Sequence, residues 1–404
     1  MPKVLPDTQL GVYSAEVKQE LHNILGYWLK FSTDSIYGGF LGKVDYNNIP
    51  DHSAPKGSVL NARILWTFSA AYSMEPKPEY LEMADKAFRY IVDHLIDREL
   101  GGVFWTVTPS GAPLDTKKQV YAIAFTIYAF SEYYQASKRL EAKTYALELF
   151  DVLLEKAYDK IKSGYFEAFT KNWDDILDLR LSEKDVNEKK TMNTHLHVLE
   201  AYTNLYRIWK DKVLKEQIAI LIQNFLDYII AESGHLALFF DENWVRKSDT
   251  VSYGHDIEAA WLLLEAAEVI EDEGLILKVK EASIKMADAA AEGLAGDGGL
   301  YYEYEPSHQK MVREKHWWAQ AEAMIGFFNA YQLSNNESYL EKSLKVWEFT
   351  QNNILDKQNG EWIWGVIDDG EAMGNQDKIG LWKCPYHNSR ACIEVIKRIG
   401  DSGT

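Results

Sequence analysis

The 404-residue chain carries 61 acidic side chains against 43 lysines and arginines, a formal charge of -18. Such a surface repels phosphate backbones and anionic membranes, which speaks against a nucleic-acid or membrane partner. Two cysteines, Cys384 and Cys392, are too few for a disulfide scaffold and read as free thiols of a reducing compartment, the cytoplasm. The N-terminus lacks the apolar stretch of a signal peptide, and no run reaches the ~18 apolar residues of a membrane span.

Taken in chain order, helical periodicity predicts helices near 10–31, 58–73, 79–96, 119–136, 140–157, 191–209, 213–231, 255–270, 274–291, 316–333, 337–355 and 387–398. Apolar residues recur at three and four, as in Ile64, Leu65 and Phe68 or Ile123, Ile127 and Phe130. Between alternate helices stand six glycine-containing, aromatic-rich segments, about 60 to 70 residues apart. They are YGGFLGKVD from Tyr37, GGVFWTV from Gly101, SGYFEAF from Ser163, SGHLALFF from Ser233, GGLYYEY from Gly298 and NGEWIWGV from Asn359. Each has the alternation of a short strand after a tight turn. A repeat this long holds two helices.

Six helix pairs can form an open solenoid or close into two rings. The helix after each glycine segment is richly apolar, as in QVYAIAFTIYAFSEYYQA from Gln119, whereas the helix before it carries more lysine and glutamate. That contrast favours an all-α (α/α)6 barrel with short β-hairpin segments in its loops. No linker interrupts the chain, so one domain spanning 1–404 is expected.

Closure brings the starts of the inner helices around one mouth, and unusual polar residues gather there. They are Arg63, Tyr121, Asn193, His195, His197, His255, Glu258, His316, Trp317, Trp318, Glu322, Trp382 and His387. His195 and His197 could share a zinc ion on a strand. On a helix they lie about 200° apart, so His197, four residues after Asn193, faces inward and His195 becomes structural. His255 and Glu258, three apart, share a helix face, so the carboxylate can orient the imidazole or bind a hydroxyl. Of Trp317 and Trp318 only one can face inward, where a flat ring stacks on a sugar. His22, His52, His94, His235 and His308 fall on outer helices or loops and read as structural.

The segments NARILW, MNTHLHVLEAYTNLYR, SYGHDIEAAWLL, WWAQAEAMIGFFNAYQ and WKCPYHNSRACIEVIKR closely resemble cellobiose 2-epimerases of the N-acylglucosamine 2-epimerase superfamily, from about Tyr13 to Arg398. The resemblance implies an (α/α)6 barrel acting on a neutral mono- or disaccharide, without metal or nucleotide cofactor. By motif, Arg63, Tyr121, Asn193, His197, His255, Glu258, Trp318, Trp382 and His387 match its active-site positions.

Epimerisation at C2 needs ring opening, removal of a proton made acidic by the aldehyde, and return of a proton to the opposite face. Two histidines suit that exchange near neutrality, and His255 and His387 are the expected pair. His197 and Arg63 are expected at the developing oxyanion. Glu258 is expected at His255 or a sugar hydroxyl, Tyr121, Asn193 and Glu322 at the substrate, and Trp318 and Trp382 at its faces. A glycoside hydrolase would use Glu258 and Glu322 as opposed carboxylates but leaves the histidines without work. An N-acylglucosamine 2-epimerase, a mannose isomerase and a non-catalytic sugar-binding protein are also compatible with the aromatic, polar mouth. A monomer is the default expectation.

Overall fold

A computed structural model describes residues 7–368 and 370–401. In chain order its helices are α1 (Asp7–Phe31), α2 (Ser58–Met74), α3 (Pro78–Tyr90), α4 (Val120–Ser137), α5 (Leu140–Lys156) and α6 (Met192–Ile208). There follow α7 (Lys212–Asn224), α8 (Tyr253–Val269), α9 (Glu273–Ala291), α10 (Trp317–Ser334), α11 (Glu337–Asn353) and α12 (Tyr386–Asp401). All twelve expected helices are present. The stretches read as single helices over 79–96 and 213–231 finish on wider π-turns, Ile91–Leu95 and Phe225–Ile229.

Helix composition decides which ring each joins. In α4 every residue from Val120 to Ser131 is buried, so this helix needs neighbours on all sides. In α3 the buried residues Tyr80, Met83, Ala84, Ala87, Phe88 and Tyr90 form one stripe, which fits an outer position. The even-numbered helices pack in cyclic order, α2 on α4, then α6, α8, α10 and α12, with α12 returning to α2. The odd-numbered helices pack outside them, α3 on α2 and so on round to α1 on α12. The outer ring also closes between distant parts of the chain. Trp28 Nε1 donates to Glu361 at 2.7 Å, Trp362 Nε1 to Glu20 at 2.9 Å, and Tyr13 meets Ser343 at 3.2 Å. An open solenoid is thereby excluded.

The six glycine segments each turn back on themselves through an antiparallel bridge, such as Thr33 with Phe40, Ile96 with Val103 and Tyr158 with Tyr165. They also knit neighbouring units together. The strand before an inner helix pairs with the glycine segment of the next unit: Lys56–Gly57 with Thr106–Val107, Lys118–Gln119 with Ala168–Phe169, Lys190–Thr191 with Phe239–Phe240. The series runs on through Val251–Ser252 and Lys315–His316, and Val44 closes it against Ile379. This collar sits at one end of the barrel and fixes the mouth.

A recurrent ion pair staples the collar. Lys56 meets Asp34 at 2.7 Å, Lys118 meets Asp97 at 2.6 Å and Lys190 meets Asp159 at 2.8 Å. Lys315–Asp297 and Lys378–Asp356 repeat it at 2.6 Å. Each aspartate lies at a glycine turn and each lysine shortly before an inner helix, so the pair holds the helix start in place. In the remaining unit, His235 and Asp256 at 2.7 Å take over.

Candidate active site

The inner helices present their polar side chains in two layers at the mouth. One residue past the first of α4, α6, α10 and α12 stand Tyr121, Asn193, Trp318 and His387, with His255 two residues into α8. Four residues deeper, about 6 Å down the axis, are His197, Glu258 and Glu322, with Arg63 at the same depth on α2 and Arg390 one residue higher on α12. Sequence distance is large, but the ring places all of these in one funnel.

His197, His255 and His387 each have Nδ1 tied to a protein oxygen. His387 Nδ1 lies 2.7 Å from Glu322 Oε1, His197 Nδ1 lies 2.9 Å from Glu200 Oε2, and His255 Nδ1 lies 2.8 Å from Ser252 Oγ. That leaves Nε2 of all three rings for the funnel. Burial pushes His255 down to about 3 and holds His387 well below the usual imidazole range, with Arg63 and Arg390 adding to the effect on His387. His197 is lowered by burial against the opposing pull of Glu200.

Arg63 is buried, donates to the Tyr121 hydroxyl at 2.8 Å and lies 4.2 Å from the Phe125 ring centre. It stays a cation by its own high basicity, and although burial opposes its charge, its surroundings, Tyr121 first, hold it above its ordinary value. Asn193 is half-buried, and its Oδ1 lacks a partner among the described residues, an acceptor suited to a hydroxyl. Trp318 is the inward tryptophan: its ring lies 4.7 Å from His255 and 5.8 Å from His387. Trp317 turns away to pack on Trp364 at 4.5 Å. Trp382 is half-buried opposite, against Trp105 and Tyr121. Trp105 extends that aromatic wall and was not singled out from the sequence.

Two glutamates take protein partners that the sequence did not point to. Glu258 reaches Arg390 Nη2 at 2.6 Å instead of His255, whose partner is Ser252. Glu322, expected at the sugar, is fully buried, with Oε1 on His387 and Arg390 and Oε2 on Trp261. Both carboxylates project from the second turn of their helices onto the guanidinium that α12 carries at nearly the same level. There Arg390 supplies their counter-charge, and Glu200 joins them through Arg390 Nη1 and the Tyr386 hydroxyl. Neither Arg390 nor Glu200 was singled out from the sequence. Burial raises Glu258 to about 8, helped by neighbouring Glu322, whereas Arg390, His197 and Tyr386 hold Glu200 down at about 2 against its own burial.

His195 is structural, as its helix phase implies. Its Nε2 accepts the Tyr165 N–H at 2.8 Å, so Nδ1 carries the proton donated to the Thr191 carbonyl at 2.6 Å. Both nitrogens are thus taken, which removes it as a metal ligand. Gly164 makes room for this ring: it has φ +83°, and a Cβ there would lie 2.6 Å from Nε2. Burial pulls His195 down to about 4. Its neutral form therefore contributes stability that is complete above the unfolded value near 6.5 and lost as pH falls toward 4. The stability gap between wild type and His195→Gln in urea titrations should narrow over that window; a constant gap would contradict this account. Glu258, Glu322 and His387 lie close enough together for one ion. The guanidinium nitrogen Nη2 of Arg390, 2.6 Å from both carboxylates, already occupies the space between them.

The family model for N-acylglucosamine 2-epimerase matches residues 39–391. A cellobiose 2-epimerase from Bacteroides fragilis is 47% identical, with 95% of this chain and 99% of that one aligned. The structure of a cellobiose 2-epimerase from Spirochaeta thermophila superposes with TM-score 0.94 at 40% identity, covering 100% of both chains. That of Bacillus thermoamylovorans gives 0.91 at 39%, over 96% of this chain and 100% of the other. Neither cysteine is in a disulfide, and no described helix is long and apolar enough to cross a membrane. From its sequence, its ring of helices and these relatives, the chain belongs to the N-acylglucosamine 2-epimerase family and, within it, to the cellobiose 2-epimerases.

Proposed function

We propose that the chain inverts C2 of the reducing-end glucose of β-1,4 disaccharides, turning cellobiose into glucosyl-mannose and lactose into epilactose. The observation that carries this reading is the set of three imidazoles, each tied down at Nδ1, with Nε2 left for a substrate. After ring opening, the aldehyde acidifies the C2–H. One of His255 and His387 takes that proton through Nε2, and the other returns one to the opposite face of the planar cis-enediolate.

The surrounding residues supply charge and shape. The guanidinium of Arg63 and the imidazole of His197 face the enediolate oxygens, where low dielectric strengthens their pull. Asn193 and Tyr121 take hydroxyls, and Trp318 and Trp382 offer ring faces to the sugar. Glu258 acts through Arg390 and His387. The reading extends to a cytoplasmic, monomeric, single-domain enzyme that needs no metal.

The test is turnover on cellobiose, lactose, mannose and N-acetylmannosamine, before and after exhaustive chelation. The expected result is the highest kcat/KM on the two disaccharides, unchanged by chelation. Preference for N-acetylmannosamine, or ketose as the main product from mannose, would shift the reading to an N-acylglucosamine 2-epimerase or a mannose isomerase. Activity lost on chelation and restored by one divalent ion would overturn the metal-free mechanism.

A further inference from the structure

The two-base chemistry proposed above leaves a problem at His387. Its ring is buried among cations, Arg63 from α2 and Arg390 from its own helix, with His197 of α6 nearby. An imidazolium there is disfavoured, so the ring is a weak base and, held neutral, keeps no second proton ready to give. Reversible epimerisation nevertheless requires it to release a proton to C2 in one direction of turnover.

The groups behind the ring offer a way out. Glu322 Oε1 lies 2.7 Å from Nδ1, and Glu258 Oε1 lies 4.0 Å from the same nitrogen. Both oxygens are 2.6 Å from one guanidinium nitrogen, Nη2 of Arg390. Glu200 holds the other arm, Nη1, together with the Tyr386 hydroxyl. Three buried carboxylates therefore share one guanidinium, and two of them meet on a single nitrogen. Two carboxylates so placed do not both stay ionised, and the pair holds a proton.

We propose that Glu322, backed by Glu258, exchanges a proton with Nδ1 of His387 as Nε2 exchanges one with the sugar, so that His387 works as base and as acid in neutral tautomers. In the base state Nδ1–H donates to the Glu322 carboxylate and Nε2 carries a lone pair. When Nε2 takes the C2 proton, the Nδ1 proton passes to Glu322. The products are the enediolate, a neutral Nε2–H imidazole and a protonated Glu322. Delivery to C2 is the same step reversed. No charge is created on the ring, and the proton that leaves carbon is matched by one that reaches the carboxyl. Glu322 touches no substrate atom and is a positioning residue with a proton-holding role.

This rests on His387 being a proton-transfer group, so the test keeps the two claims apart. Glu322→Gln retains the size and a hydrogen bond to Nδ1 but cannot pass a proton. On cellobiose it should lower kcat by ~100-fold or more in both directions with KM little changed, within the range for losing a positioned acid or base. Glu322→Asp should recover part of the rate. His387→Phe is measured alongside: if that variant keeps turnover, the reading of His387 itself fails. If His387→Phe is inactive while Glu322→Gln turns over normally, the carboxyl serves only to hold the ring and the relay is overturned. A second measurement uses the wild-type enzyme, whatever the folding of the variants. Nitrogen-15 imidazole shifts should show His387 neutral from pH 6 to 8, and an imidazolium signature at pH 7 would overturn the proposal.

Discussion

His255→Phe and His387→Phe should each fold and each lose at least ~100-fold in turnover on cellobiose, the loss expected when a positioned acid or base is removed. Phenylalanine keeps a planar ring against Trp318, which lies 4.7 Å from His255 and 5.8 Å from His387, so packing of the mouth is preserved. What goes is Nε2, the nitrogen left to the funnel in both rings. The loss should appear in kcat, because either ring acts on the C2 proton after the sugar is seated. His195→Gln is the contrasting change: both its ring nitrogens bind backbone groups away from the funnel, so turnover should hold while stability falls. A folded His255→Phe or His387→Phe enzyme with near-normal turnover on its best sugar would remove that ring from the mechanism.

Arg390→Met should be the most damaging single change to the fold. The guanidinium is 1% exposed and answers Glu200, Glu258 and Glu322, contributed by α6, α8 and α10. Methionine fills similar space but leaves buried carboxylates without a counter-charge, an arrangement that costs about 3–5 kcal/mol when a partner is removed. Protonation of the glutamates recovers part of that cost, so the unfolding midpoint in urea should drop steeply and recover somewhat at lower pH. An unchanged midpoint at pH 7 would show that the cluster is not what ties these four helices together.

The sequence carried the fold through its count of six and through the contrast between evenly apolar and striped helices. It also carried helix phase. Asn193 and His197 share a face and His195 does not, and Trp318 faces the funnel while Trp317 packs outward. Depth was harder to read. Glu258 and Glu322 look like mouth residues because they follow His255 and Trp318 closely, yet each lies in the second turn of its helix, where Arg390 is the neighbour. The charge cluster itself joins residues 190, 132 and 68 positions apart, a distance no local pattern spans. The Lys–Asp staples did leave a signal: an aspartate at the glycine turn and a lysine before the inner helix recur in five of the six units.

Early-turnover labelling in deuterated water tests proton exchange at C2 by two separate groups most directly. Cellobiose is incubated with the wild-type enzyme, the reaction is stopped after a few percent conversion, and both sugars are read by NMR. Glucosyl-mannose should carry deuterium at C2 of its reducing end, while the remaining cellobiose carries almost none, because the group that delivers a proton is not the one that removed it. A product that keeps its original C2 hydrogen, or label rising equally in both sugars from the start, would contradict transfer across opposite faces by His255 and His387.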